Sequence, residues 1–99
     1  NVMLWSGNHI GHGTQIGDHT YLASHVVISG NCTVGERCFF GVNATFKDFL
    51  KIGDDVFVAM DASVTKDLPS GSVILGAKCT TLGPENLVGQ KIKNSYFKI

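Results

Sequence analysis

An apolar residue stands at every sixth position from Leu4 to Val64: Leu4, Ile10, Ile16, Leu22, Ile28, Val34, Phe40, Phe46, Ile52, Val58 and Val64. A helix face recurs near 3.6 residues and a strand face at two, so neither element alone carries this period. One short strand plus one tight corner does. The residue two before each slot is uncharged and mostly small (Asn8, Thr14, Thr20, Val26, Cys32, Cys38, Ala44, Leu50, Val56, Ala62). The residue after it is usually tiny, as at Gly11, Gly17, Ala23, Ser29, Gly35, Gly41, Gly53 and Ala59. The charges of the stretch, from Asp18 to Asp61, avoid both inward positions. Three such sides close a triangular coil of about 18 residues whose strands pair in parallel with the coils above and below.

This reading predicts an all-β solenoid over 2–76 and a C-terminal cap or tail over 77–99. Three inner columns follow from the 18-residue spacing. Leu4, Leu22, Phe40 and Val58 stack on one side, Ile10, Ile28, Phe46 and Val64 on the next, and Ile16, Val34 and Ile52 on the third. About three and a half coils make a thin core, which favours burial against sister chains. Thr65-Lys66-Asp67-Leu68-Pro69-Ser70-Gly71 reads as a turn-rich break before a last, irregular coil ending in Val73-Ile74-Leu75-Gly76. The tail loses the period and carries a formal charge of +3, from Lys78, Lys91, Lys93 and Lys98 against Glu85.

Lysine plus arginine equals aspartate plus glutamate, eight of each. That balance argues against a general nucleic-acid binder. No run approaches the length of a membrane span, and no signal peptide opens the chain. Cys32 and Cys38 fall in inward slots and read as core fillers, with Cys79 in the tail. An odd cysteine count without pairing logic points to a reducing cytoplasm.

Residues 18 apart are neighbours on adjacent coils, near 4.8 Å apart. An outward ladder Gly7–His25–Asn43–Asp61 results. His9 falls on the same side one coil above His25, and His12 at the adjoining corner over Gly30. His19 stacks elsewhere, on Arg37 and Asp55. Three of four histidines thus gather round one side. Taken singly, each suits an exposed corner. Taken together they suggest a site.

The run Gly11-His12-Gly13-Thr14-Gln15-Ile16-Gly17-Asp18 resembles the histidine segment of hexapeptide-repeat sugar acetyltransferases, in particular the sialic acid O-acetyltransferase group and the bacillosamine and perosamine N-acetyltransferases. Phe40-Gly41-Val42-Asn43-Ala44 and Val64-Thr65-Lys66-Asp67 resemble later segments of that family. The resemblance covers residues 4 to 76 and implies a left-handed parallel β-helix, a hexapeptide-repeat solenoid. It implies acetyl transfer from acetyl-CoA to a sugar or nucleotide sugar, in a homotrimer with sites between chains. His12 maps onto the general base, with His25 in reserve. His9, Asn43 and Gly30 are candidate substrate contacts. Gly41, Ala59 and Lys66 are candidate coenzyme A contacts.

Neutral imidazole has the right pKa to take the proton of an attacking hydroxyl or amine. The oxyanion could be held by backbone N–H groups beside Gly30 or Gly41. The sequence departs from the family at three places. Gly13 replaces the acidic residue that often follows the base, so Asn8, Asp18 or a carbonyl would have to orient His12. Tyr21 stands where relatives carry a second histidine. Gly76-Ala77-Lys78-Cys79 replaces the closing Gly-Asn-Pro-Ala motif. No metal is expected. The gamma-class carbonic anhydrases share this solenoid but use an H-x-x-x-x-H arrangement, and the histidine gaps here are three, seven and six. The alternative to the enzyme is a non-catalytic trimerisation or scaffold domain.

Overall fold

In the computed structural model, which describes residues 1–76 and 81–97, the six-residue repeat becomes twelve two-residue strands. They are β1 (Met3–Leu4), β2 (His9–Ile10), β3 (Gln15–Ile16), β4 (Tyr21–Leu22), β5 (Val27–Ile28), β6 (Thr33–Val34), β7 (Phe39–Phe40), β8 (Thr45–Phe46), β9 (Lys51–Ile52), β10 (Phe57–Val58), β11 (Ser63–Val64) and β12 (Val73–Ile74). All pair in parallel, and three sheets result. The first side holds β1, β4, β7, β10 and β12, the second β2, β5, β8 and β11, the third β3, β6 and β9. Each pair up to β11 is offset by 18 residues, as in Leu4↔Leu22 and Phe46↔Val64. Five strands on the first side place four turns between β1 and β12, half a coil more than the period predicts.

The inner columns are those expected. Leu22, Ile28, Phe40 and Val58 are fully buried, and the Phe40 and Phe46 rings meet at 4.4 Å between centroids. Ile10 and Ile16 are half-buried and Leu4, in the first coil, is 50 % exposed. The small inward positions do more than fill space. Thr14 and Thr20 donate through Oγ1 to the carbonyls of Ser29 and Gly35, and Cys32 and Cys38 donate through Sγ to those of Lys47 and Gly53. A hydroxyl or thiol at this slot therefore satisfies a corner carbonyl of the next coil, which would otherwise be buried without a partner.

The tiny residue after each strand is required by close approach rather than by its own dihedral. A Cβ on Gly11 would fall 2.5 Å from the Gly30 nitrogen, and one on Gly41 would fall 2.5 Å from the Met60 nitrogen. The left-handed turn comes two residues later and repeats every six, at Gly7, Gly13, His19, His25, Asn31, Arg37, Asn43, Phe49, Asp55 and Asp61. Most of these are short polar residues or glycine, the types that tolerate this conformation. Arg37 and Phe49 are larger, and Phe49 is 70 % exposed. Gly7, His25, Asn43 and Asp61 are thus corner residues, not residues on a strand face.

The break near Pro69 is a deletion of two residues. Leu68 bridges to Ile52, and Val73 pairs with Phe57, each at an offset of 16. Leu68 takes the inward place on the third side and is 6 % exposed, a core role that the six-residue count does not reveal. Beyond β12 the period is lost, and α1 spans Leu87–Phe97; among the described residues it makes no contact with a strand. The expectations placed on Ala77, Lys78, Cys79 and Lys98 lie outside the described residues. Among the described residues no helix is long and apolar enough to cross a membrane.

Candidate functional site

The three corners repeat along the solenoid. The first contains 5–8, 23–26, 41–44 and 59–62, the second 11–14, 29–32 and 47–50, the third 17–20, 35–38 and 53–56. His25 stands in the first corner, His12 in the second, and His9 on β2 between them. All three side chains are exposed. They flank the outer face of the second side, whose outward residues are His9, Val27, Thr45 and Ser63.

His12 is positioned by its backbone. Its carbonyl accepts the Asn31 N–H at 2.8 Å, and it lies 3.2 Å from where a Gly30 Cβ would be. A side chain at position 30 would therefore crowd the His12 carbonyl. The Gly30 carbonyl accepts the Phe49 N–H at 3.0 Å. Its own N–H donates to no acceptor among the described residues.

None of the proposed orienting groups holds the His12 ring. Asn8 accepts the Val26 N–H through Oδ1 and donates through Nδ2 to the Trp5 carbonyl, which spends both ends of the amide. Asp18 belongs to the third corner. Among the described residues the His12 imidazole has no hydrogen-bond partner.

His25 stacks as the 18-residue spacing predicts, with its N–H donating to the Ser6 carbonyl at 2.9 Å and the Asn43 N–H donating to Ser24 at 3.2 Å. Its imidazole reaches upward across Gly7, away from Asn43. No side-chain hydrogen bond joins His25 to Asn43, and none joins Asn43 to Asp61. His19 pairs with Asn1 at 3.0 Å in the third corner. There Arg37 donates to both carboxylate oxygens of Asp55, at 2.8 and 3.2 Å. That bond and charge raise the Arg37 pKa further and hold the Asp55 carboxyl below the usual carboxylate range.

The candidate coenzyme contacts divide. Gly41 and Ala59 stack in the first corner, whereas the exposed Lys66 follows β11 on the second-corner side. The Gly41 N–H is spent on the Val58 carbonyl at 2.8 Å, so it is not an oxyanion donor. Cys38 and Cys32 are buried and point inward, and burial pushes the Cys38 thiol pKa up. Neither can serve as a nucleophile. No three His, Cys, Asp or Glu residues converge as a ligand set among the described residues.

One surface feature escaped the six-residue reading. The outward residues of the first side are Met3, Tyr21, Phe39, Phe57 and Val73, and the rings of Tyr21, Phe39 and Phe57 stack at 5.4 and 5.3 Å. The signal was present as a second apolar file, one residue before every third inward slot.

The profile of the bacterial transferase hexapeptide family (six repeats) matches residues 1–30. Among solved structures, serine acetyltransferase isoform 3 from Entamoeba histolytica, in complex with cysteine, superposes with a TM-score of 0.70 at 16 % identity. That match covers 91 % of this chain and 38 % of the other. A mutant GDP-perosamine N-acetyl transferase from Caulobacter crescentus, in complex with CoA and GDP-perosamine, superposes with a TM-score of 0.55 at 23 % identity, covering 83 % of this chain and 50 % of that one. The chain therefore spans half or less of the length of either. Comparison with curated protein sequences gave no match. These likenesses establish the fold: the chain is a hexapeptide-repeat parallel β-helix.

Proposed function

We propose that this chain is the catalytic solenoid of an acyltransferase that moves an acetyl group from acetyl-CoA to a hydroxyl or amine of a sugar or nucleotide sugar. The observation that carries the reading is the exposed imidazole of His12, in a corner whose backbone stacks on the Gly30–Asn31 corner, at the position that the resemblance assigns to the base. Support for a CoA-type donor and a sugar acceptor comes from the solved perosamine enzyme, whose structure contains CoA and GDP-perosamine.

His12 accepts the proton of the acceptor as its oxygen or nitrogen attacks the thioester carbonyl. The tetrahedral oxyanion then collapses with cleavage of the C–S bond, and the His12 imidazolium returns its proton to the departing thiolate. A positioned base contributes typically ~10²–10⁴ in rate, and alignment of the two substrates supplies the rest. The Gly30 N–H, without an acceptor among the described residues, is a candidate backbone donor for the oxyanion. His25 is the reserve base. His9 and Asn43 contact the acceptor, and Gly41, Ala59 and Lys66 lie along the coenzyme. The working form is a homotrimer, in which a neighbouring chain supplies the partner that the His12 ring lacks within its own. The expected location is the cytoplasm.

The second reading, a trimerisation or scaffold domain, is favoured by Gly13 in place of an acid and by the unoriented His12 ring. Thiol release from acetyl-CoA with a panel of nucleotide-linked sugars decides between them. Acceptor-dependent thiol release supports the enzyme. None with any acceptor, from a folded assembly, leaves the scaffold.

A further inference from the structure

Of the side chains held at positive φ, only that of Phe49 is apolar. Its φ is +61°, where a bulky residue is strained, and it is 70 % exposed. The residues stacked above it in the second corner are Gly13 and Asn31, types that adopt this conformation at little cost. Phe49 thus combines backbone strain with an apolar ring in water. It lies outside the hydrophobic core, and among the described residues it stacks on no aromatic ring. Tyr21, Phe39 and Phe57, by contrast, cover one another's faces. A lone exposed aromatic is ordinary on a protein surface, but strain at the same residue is not.

We infer that Phe49 is the platform on which the acceptor's sugar ring stacks. His12 and Phe49 share the second corner, two coils apart, or about 10 Å along the solenoid axis. Two backbone bonds fix that relation. The His12 carbonyl accepts the Asn31 N–H at 2.8 Å, and the Gly30 carbonyl accepts the Phe49 N–H at 3.0 Å. The interval between them holds Gly30, which has no side chain, and Asn31. A pyranose that presents one hydroxyl or amine to His12 spans this interval toward Phe49. Its axial C–H groups carry partial positive charge and the face of an aromatic ring is negative, so stacking adds attraction to the apolar area buried. The adenine of coenzyme A stands at the far end of the pantetheine arm from the thioester, well beyond two coils. The neighbours Lys47 and Asp48 are exposed charges, which confines the apolar area to one ring. That area suits a single sugar and not a protein surface, which needs about 800 Å² per partner.

The inference rests on the proposed transfer at His12 and adds the residue that selects the acceptor. It carries a trade-off between stability and function. Asparagine at position 49 relieves the strain and removes the platform, so the variant is the more stable protein and the poorer enzyme.

Steady-state kinetics, thermal melting and sedimentation velocity test it on the parent, Phe49→Asn and Phe49→Tyr, with a panel of nucleotide-linked hexoses and amino sugars as acceptors. Phe49→Asn should raise the acceptor KM at least about 10-fold, with kcat within about threefold and the KM for acetyl-CoA unmoved. Its melting temperature should rise by about 4–8 °C and its mass should stay that of the parent. Phe49→Tyr keeps the ring and should keep the parental KM. An unmoved acceptor KM, a shift confined to acetyl-CoA, a lower melting temperature or a lost assembly in Phe49→Asn overturns the inference. The last of these would place the ring between chains. Saturation-transfer NMR with the same sugars separates this inference from the catalytic reading. A parent without turnover refutes that reading. A panel sugar that the parent binds and Phe49→Asn does not then leaves the platform standing, and a parent that binds none removes it as well.

Discussion

The imidazole of His25 lies across the α-carbon of Gly7, occupying the place that a Gly7 side chain would fill. Gly7 also has a φ of +72°, so two demands meet at one residue. Gly7→Ala should strain the corner and push the ring off the ladder, costing more than about 1 kcal/mol. Urea denaturation reads the stability, and the His25 ring resonances read the displacement. An alanine variant of parental stability with unmoved resonances would disprove the stacking.

The two candidate bases separate by kinetics. His12→Ala should lose about two to four decades of turnover while keeping assembly and coenzyme A affinity. His25→Ala should mainly raise KM for the sugar. The reverse ranking transfers the role to His25, and near-parental turnover in both removes histidine catalysis.

Ile28 is fully buried in the second inner column. Ile28→Asp places an unpaired carboxylate among aliphatic groups, at a cost comparable to the whole ~5–15 kcal/mol stability of a domain. The variant should be unfolded or insoluble at pH 7. A soluble protein with a native spectrum would contradict the register.

Cys32 and Cys38 are 0 % and 2 % exposed, and burial raises the Cys38 pKa. In a Cys79→Ser background, alkylation of both thiols by iodoacetamide at pH 8 should be at least about 10³-fold slower in the folded protein than in urea. Rapid native-state labelling would place them elsewhere than the core.

The Arg37–Asp55 pair predicts an acid-side signature. The hydrogen bond from Arg37 holds the folded Asp55 pKa below its unfolded value. The unfolded chain therefore binds more protons in that window, and stability rises with pH there. The contribution is complete above the ordinary carboxylate pKa, about 4, and is lost as pH falls through the depressed folded value. Both groups are exposed, so the effect is small and weakened by salt. Melting curves of the parent should fall more steeply below pH 4 than those of Arg37→Gln. Parallel curves would show that the pair is inert.

The sequence by itself determined the coil. A six-residue alternation of aliphatic, tiny and polar residues has one way to bury its apolar atoms, and the 18-residue neighbours Leu22, Phe40 and Val58 follow from it. Stacked positions such as His12 over Gly30 were legible for the same reason, because a strict period converts sequence distance into spatial distance. Three features needed the tertiary structure. Leu68 entered the core only through the 16-residue last coil, since a two-residue deletion shifts every later inward position. The Gly41 N–H itself proved to be taken up by Val58, because hydrogen bonds between coils decide which N–H groups remain unpaired. His25 turned toward Gly7 rather than Asn43 because a corner residue at positive φ projects where its neighbours leave space, which period alone does not encode.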